Sequence, residues 1–163
     1  MERDRLKYTI SRFDHYFESI NNKIALYIAL NTFIVGSILA GYSSIIKDFK
    51  RCLCLFNTMT SILLLLGLFT LISLVRASLP YISKKPTSLI YFDSISSIPK
   101  KEFIDLSKNC SDKDELKDLR NQVSILSNGL SAKYKRLKIC GQLLIIQFLI
   151  LVPLFIIFII NKF

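Results

Sequence analysis

Apolar and polar positions are patterned on two scales along this chain. On the long scale, three stretches, Ile24 to Ile46, Cys52 to Val75 and Ile139 to Ile160, contain no Asp, Glu, Lys or Arg. Each is 22 to 24 residues long, and at about 1.5 Å of rise per residue a helix of that length crosses a hydrocarbon core of roughly 30 Å. Only a closed barrel or a helix satisfies the backbone there, and the uninterrupted apolar runs are helical. The pattern predicts an all-α integral membrane protein with three transmembrane helices per subunit.

On the short scale, Leu6, Ile10, Phe13, Phe17, Ile20 and Ile24 recur at alternating spacings of four and three, the seam of a helix that packs on a partner. Arg3, Arg5, Lys7, Arg12, Asp14 and Glu18 fall between them. A second seam runs through Leu116, Leu119, Val123, Leu126, Leu130, Leu137 and Leu144, its register broken only at Lys133 and Cys140. Ser111 with Asp114, and the acids Asp112 and Glu115, form a helix-start signature ahead of it. No proline intervenes before Pro153, so one long helix is expected from about Asp112 through the third span. The N-terminal helix either packs on this stalk or pairs with another subunit, and heptad spacing alone leaves both open. Between the seams, Pro80, Pro86 and Pro99 interrupt residues 77–110; Ser88 to Asp93 reads as β-prone and Lys100 to Leu106 as a short helix.

The expected organisation is therefore a cytoplasmic N-terminal helix over 1–23, spans over 24–46, 52–75 and 139–160, a cytoplasmic connector over 77–110 and a cytoplasmic stalk helix over 111–138, continuous with the third span. Charge sets that orientation. Residues 1–23 carry five Lys and Arg and residues 76–138 thirteen, against three in the loop after the first span (Lys47, Lys50, Arg51) and Lys162 in the tail. The positive-inside bias puts the N-terminus in the cytoplasm and the C-terminus outside. An N-terminal segment both acidic and basic, ahead of a span too long for a signal peptide, reads as an uncleaved anchor. The net charge of +10 invites an anionic partner, either lipid headgroups or a nucleotide or nucleic-acid ligand.

Catalysis is poorly provided for. His15 is the single histidine, no glycine-rich phosphate loop exists, and the carboxylates cluster only at Asp112, Asp114, Glu115 and Asp118, a helix-start pattern. Cys52, Cys54, Cys110 and Cys140 show no metal-site spacing. The chain reads as a non-enzyme without cofactor or metal. Polar residues within the spans, Asn31, Thr32, Asn57, Thr58, Thr60, Ser61, Gln142 and Gln147, either bond helix to helix or line a conduction path, and Gly36 with Ala40 allows close helix approach. Lys133, a lysine on an apolar heptad position, either fixes register or meets a ligand; Gln122, Asn128 and Tyr134 share its helix, and Tyr91 could stack on a base.

Several short motifs follow one another in a distinctive order. A helix reading Arg12-Phe13-Asp14-His15-Tyr16-Phe17-Glu18-Ser19-Ile20-Asn21-Asn22-Lys23 enters a span through Ala29-Leu30-Asn31-Thr32-Phe33. Then come Leu89-Ile90-Tyr91-Phe92-Asp93, Asp118-Leu119, Asn121-Gln122-Val123, Ser127 and Lys133-Tyr134 before a last span. This resembles the transmembrane effectors of bacterial Pycsar anti-phage systems and their relatives in other nucleotide-signal defence operons. The resemblance implies control by a nucleotide second messenger or a DNA oligomer, made by a partner nucleotidyltransferase or cyclase. It also implies an output at the inner membrane, an ion channel or membrane-disrupting assembly that permeabilises or depolarises it and arrests growth before phage matures. Three spans are too few to enclose a pore, so conduction requires a homo-oligomer, a tetramer being favoured. The alternative is a structural membrane anchor whose basic bundle docks a soluble partner or anionic lipid.

Overall fold

A computed structural model describes residues 1–46, 52–80 and 88–162. The basic loop residues Lys47, Lys50 and Arg51, and Pro86 of the connector, lie outside the described residues. Five helices account for the described chain, which contains no strand: α1 (Glu2–Ile45), α2 (Leu53–Ser78), α3 (Phe92–Ser97), α4 (Lys100–Lys108) and α5 (Asp112–Lys162). Three of them, α1, α2 and α5, are long and apolar enough to cross a membrane. Side chains such as Leu65, Phe69, Leu149 and Phe155 are more than half exposed on these helices. Exposed apolar surface of this extent is stable against lipid and not against water.

Local sequence explains the helix limits. At the start of α5, Ser111 and Asp114 form a reciprocal cap: the Asp114 amide donates to the Ser111 hydroxyl at 3.3 Å, and the Ser111 amide and hydroxyl both donate to the Asp114 carboxylate. Pro153 lies inside α5, where it cannot donate to the carbonyl of Leu149, a gap that spanning helices tolerate. Cys52, ahead of α2, is the one described non-glycine residue with positive φ, at 56°.

The stretch Ser88 to Asp93 departs from its β-prone reading. Asp118 of α5 accepts the Ser88 hydroxyl at 2.8 Å and the Leu89 amide at 3.0 Å, and the Ser88 hydroxyl oxygen accepts the amides of Ile90 and Tyr91 at 3.1 Å each. Side-chain oxygens have taken the donors a strand ladder needs, so the segment turns and enters α3 at Phe92. The short helix expected at Lys100 to Leu106 is α4, which follows Pro99.

The chain forms two compact units. The first comprises Met1–Ser19 and Pro80–Lys133; the second comprises Ile20–Leu79 and Tyr134–Phe163. In the first, the start of α1 runs parallel to the first half of α5. Arg3 pairs with Asp112 and Glu115, Lys7 Nζ lies 3.3 Å from Glu115, and Arg120 grips Glu2 at 3.0 and 2.9 Å. These pairs are largely exposed, so each contributes on the order of 0–1 kcal/mol. The seam residues contribute more to holding the pair, with Leu119 and Leu130 buried.

In the second unit α1 and α5 are again parallel, and α2 runs antiparallel to both. The core of α2 is Phe56, Thr60, Leu63, Gly67, Thr70, Leu74 and Ala77, all buried at alternating spacings of four and three. Its counterparts are Ile20, Ile24, Asn31 and Ile34 on α1, and Leu137, Cys140, Leu144 and Gln147 on α5. All three helices thus pack on a repeat of 3.5, the geometry of a left-handed bundle.

Candidate functional site

Within hydrocarbon an unpartnered polar group is costly, so a buried polar side chain in a span marks either a helix contact or a path. Asn31, Thr70 and Gln147 are 1%, 0% and 0% exposed. The amide nitrogen of Gln147 donates to Asn31 Oδ1 at 3.0 Å and to Thr70 Oγ1 at 2.9 Å. Asn31 in turn donates to the carbonyl of Gly67 at 3.1 Å, and Thr70 to that of Leu66 at 2.7 Å. One side chain of α5 therefore ties α1 and α2 at a single level. Among the described residues, Gln147 Oε1 and the Thr60 hydroxyl have no hydrogen-bond partner.

Gly67 makes the cluster possible. A Cβ there would collide with the Cγ2 of Val35 and come within 3.9 Å of Asn31 Oδ1. Without a side chain, α2 approaches α1 until Asn31 reaches its backbone. Gly36, the glycine singled out from sequence, is open instead: a Cβ there would meet nothing within 4 Å. Thr32 and Thr58 lie on exposed faces, and Thr58 donates to the Cys54 carbonyl of its own helix at 2.8 Å. Asn57 is half-buried and accepts the Tyr42 hydroxyl at 3.2 Å, with the Tyr42 ring stacked on Phe56 at 6.4 Å. Thr70 is the member that the sequence reading missed. The signal was present in the repeat Thr60, Leu63, Gly67, Thr70, which is hard to see when nearly every neighbour is apolar.

In the first unit, Lys133 is 6% exposed and its ammonium lies 5.8 Å from the centroid of Phe17. Both are seam residues, one from each helix, and the aromatic face compensates part of the cost of burying the charge. Gln122 is 7% exposed on the same helix, and Asn128 is exposed. Tyr91 caps α3 in extended conformation with its ring 4.9 Å from that of Phe92. Asp118 fastens Ser88 and Leu89 beside it, so the stretch 88–93 and Asp118, distant in sequence, are adjacent in space. Tyr134 belongs to the second unit, where it lines a groove with Lys23 and Lys138. At the cap of α5, hydrogen bonds from the Ser111 hydroxyl and amide hold the Asp114 carboxyl below the usual carboxylate range. Among the described residues no cluster of three or more His, Cys, Asp or Glu could hold a metal ion.

The family model described as the Pycsar effector protein domain matches residues 5–160. No curated protein and no solved structure matches the chain.

Proposed function

Because the chain belongs to the Pycsar effector transmembrane domain family, we propose that it acts in bacterial anti-phage defence as a nucleotide-controlled effector of the inner membrane. The observation that carries this reading is the match over residues 5–160, which spans both units and all five helices. A partner nucleotidyltransferase or cyclase makes the ligand, a cyclic mononucleotide or a DNA oligomer. The effector assembles as a homo-oligomer, dissipates the membrane potential and stops growth. Positive-inside charge favours placing residues 1–23 and 77–138 in the cytoplasm, where the ligand is made.

Physical support comes from Lys133, buried on the seam against Phe17, and from the polar cluster of Asn31, Thr70 and Gln147. A ligand shifts a two-state protein only by its differential affinity for the states. An anionic ligand that draws the Lys133 ammonium from Phe17 has such a preference, with Tyr91, Gln122 and Asn128 as further candidate contacts. α1 and α5 are each continuous helices with residues in both units. A change in how they pair at Lys133 and Phe17 is then transmitted to the Asn31, Thr70 and Gln147 cluster, whose few hydrogen bonds can be re-formed in a second arrangement.

The test is flux from liposomes reconstituted with the purified protein, read by a potential-sensitive dye. Each 3′,5′-cyclic mononucleotide and short DNA oligomers are added in turn. Collapse of the potential with one ligand class is the expected result; an unchanged potential with every ligand would remove the reading. Lys133→Ala should lower ligand sensitivity roughly tenfold or more, the worth of a hydrogen bond to a charged group.

A further inference from the structure

A groove of about 540 Å³ lies between α1 and α5 in the second unit. We infer that it is a binding site for one anionic phospholipid, with the phosphodiester held between Lys23 and Lys138 and an acyl chain lying along Leu30, Ile145 and Phe148. The two lysines directly precede the first and third apolar stretches, and the helices carrying them are parallel, so both sit at the same membrane edge. Tyr27 and Tyr134 line the same groove, and their hydroxyls add donors to it. Leu30 is seven residues beyond Lys23 and Phe148 ten beyond Lys138, so the apolar floor lies on the order of 10–15 Å deeper into the bilayer. Gly141 opens the space: a Cβ there would stand 3.3 Å from the Tyr27 hydroxyl.

Charge selects the occupant. No Asp or Glu lines the groove, and none occurs in 24–46, 52–75 or 139–160, so the spans of a second copy bring no carboxylate to this depth. A soluble nucleotide supplies a phosphate but no chain for Leu30, Ile145 and Phe148. A phospholipid supplies both, and the bilayer presents it at high local concentration. The inference rests on the membrane embedding of the second unit and not on nucleotide control, so its failure leaves the effector reading standing.

The absence of tryptophan from the chain makes the test direct. Phe148→Trp, or Ile145→Trp if the first folds poorly, places a single fluorophore in the groove. The full-length protein is reconstituted in vesicles containing equal mole fractions of phosphatidylglycerol and phosphatidylcholine, with one or the other brominated. Brominated phosphatidylglycerol should quench the reporter preferentially, and each of Lys23→Gln and Lys138→Gln should reduce that preference about fivefold. Leu149→Trp, on the same helix but outside the groove, should show no preference. Equal quenching by both lipids, or a preference that survives the double glutamine variant, would overturn the assignment. Quenching by neither would mean that protein fills the groove. Relief of quenching by 3′,5′-cyclic mononucleotides would reassign the lysines to a soluble ligand.

Discussion

Two glycines show how much a single missing side chain can determine. Gly67 and Gly36 each lie within an uncharged apolar stretch, yet a methyl group at Gly67 collides with Val35 and one at Gly36 meets nothing. Gly67→Ala should separate α1 from α2, break the Asn31 hydrogen bond to the Gly67 carbonyl and cost about 1–3 kcal/mol. Thermal unfolding in detergent measures this, and Val35→Ala in the same chain should recover most of the loss because it removes the colliding methyl. Gly36→Ala should leave the isolated subunit unchanged. A Gly36→Ala variant that unfolds as readily as Gly67→Ala would contradict the packing. Gln147→Leu tests the same core from the other side. It leaves Asn31 Oδ1 and Thr70 Oγ1 without their shared donor, at about 0.6 kcal/mol per lost bond and up to about 1.7.

At the level of helices, what could be read from sequence depended on which physical constraint dominated. The spans were legible because hydrocarbon excludes charge over twenty residues, and the seams of α1 and α5 because polar residues outline them. The seam of α2 was hidden: both its lipid face and its core face are apolar, so the repeat is one of residue size and small polar groups. The connector was misread in part because β-prone side chains predict a strand only if the backbone donors are free, and Asp118 and Ser88 occupy them. Asp118→Ala should therefore release residues 88–91, with a loss of about 1–3 kcal/mol for a stranded hydrogen-bond set. Hydrogen exchange should accelerate at Leu89, Ile90 and Tyr91 and not in the second unit. The cap of α5 behaves differently because it titrates. The Asp114 carboxyl is held below its ordinary value by Ser111, so its stabilisation is complete above the unfolded value of about 3.9 and is lost as pH falls through the folded value. Ser111→Ala at neutral pH should mimic that loss, with exchange in the first turn of α5 about threefold to tenfold faster.

For the whole molecule the deciding quantity is which side of the membrane the charge occupies. Residues 1–23 and 76–138 together carry eighteen of the 22 Lys and Arg; translocating them works against the membrane potential, whereas translocating the short loop and the tail moves four. The native cysteines report the result, because α2 separates Cys52 from Cys110 and both are exposed. Variants retaining one of these cysteines and lacking the other three should label differently with a membrane-impermeant maleimide. In intact spheroplasts Cys52 should react and Cys110 should not; after lysis both should. Cys140, buried against the bundle, should react in neither condition until the protein is denatured, which separates burial from sidedness. Labelling of Cys110 in intact spheroplasts would put the Lys133 and Phe17 contact outside the cell, away from any ligand made in the cytoplasm, and the proposed nucleotide control would fail even though the family assignment stood.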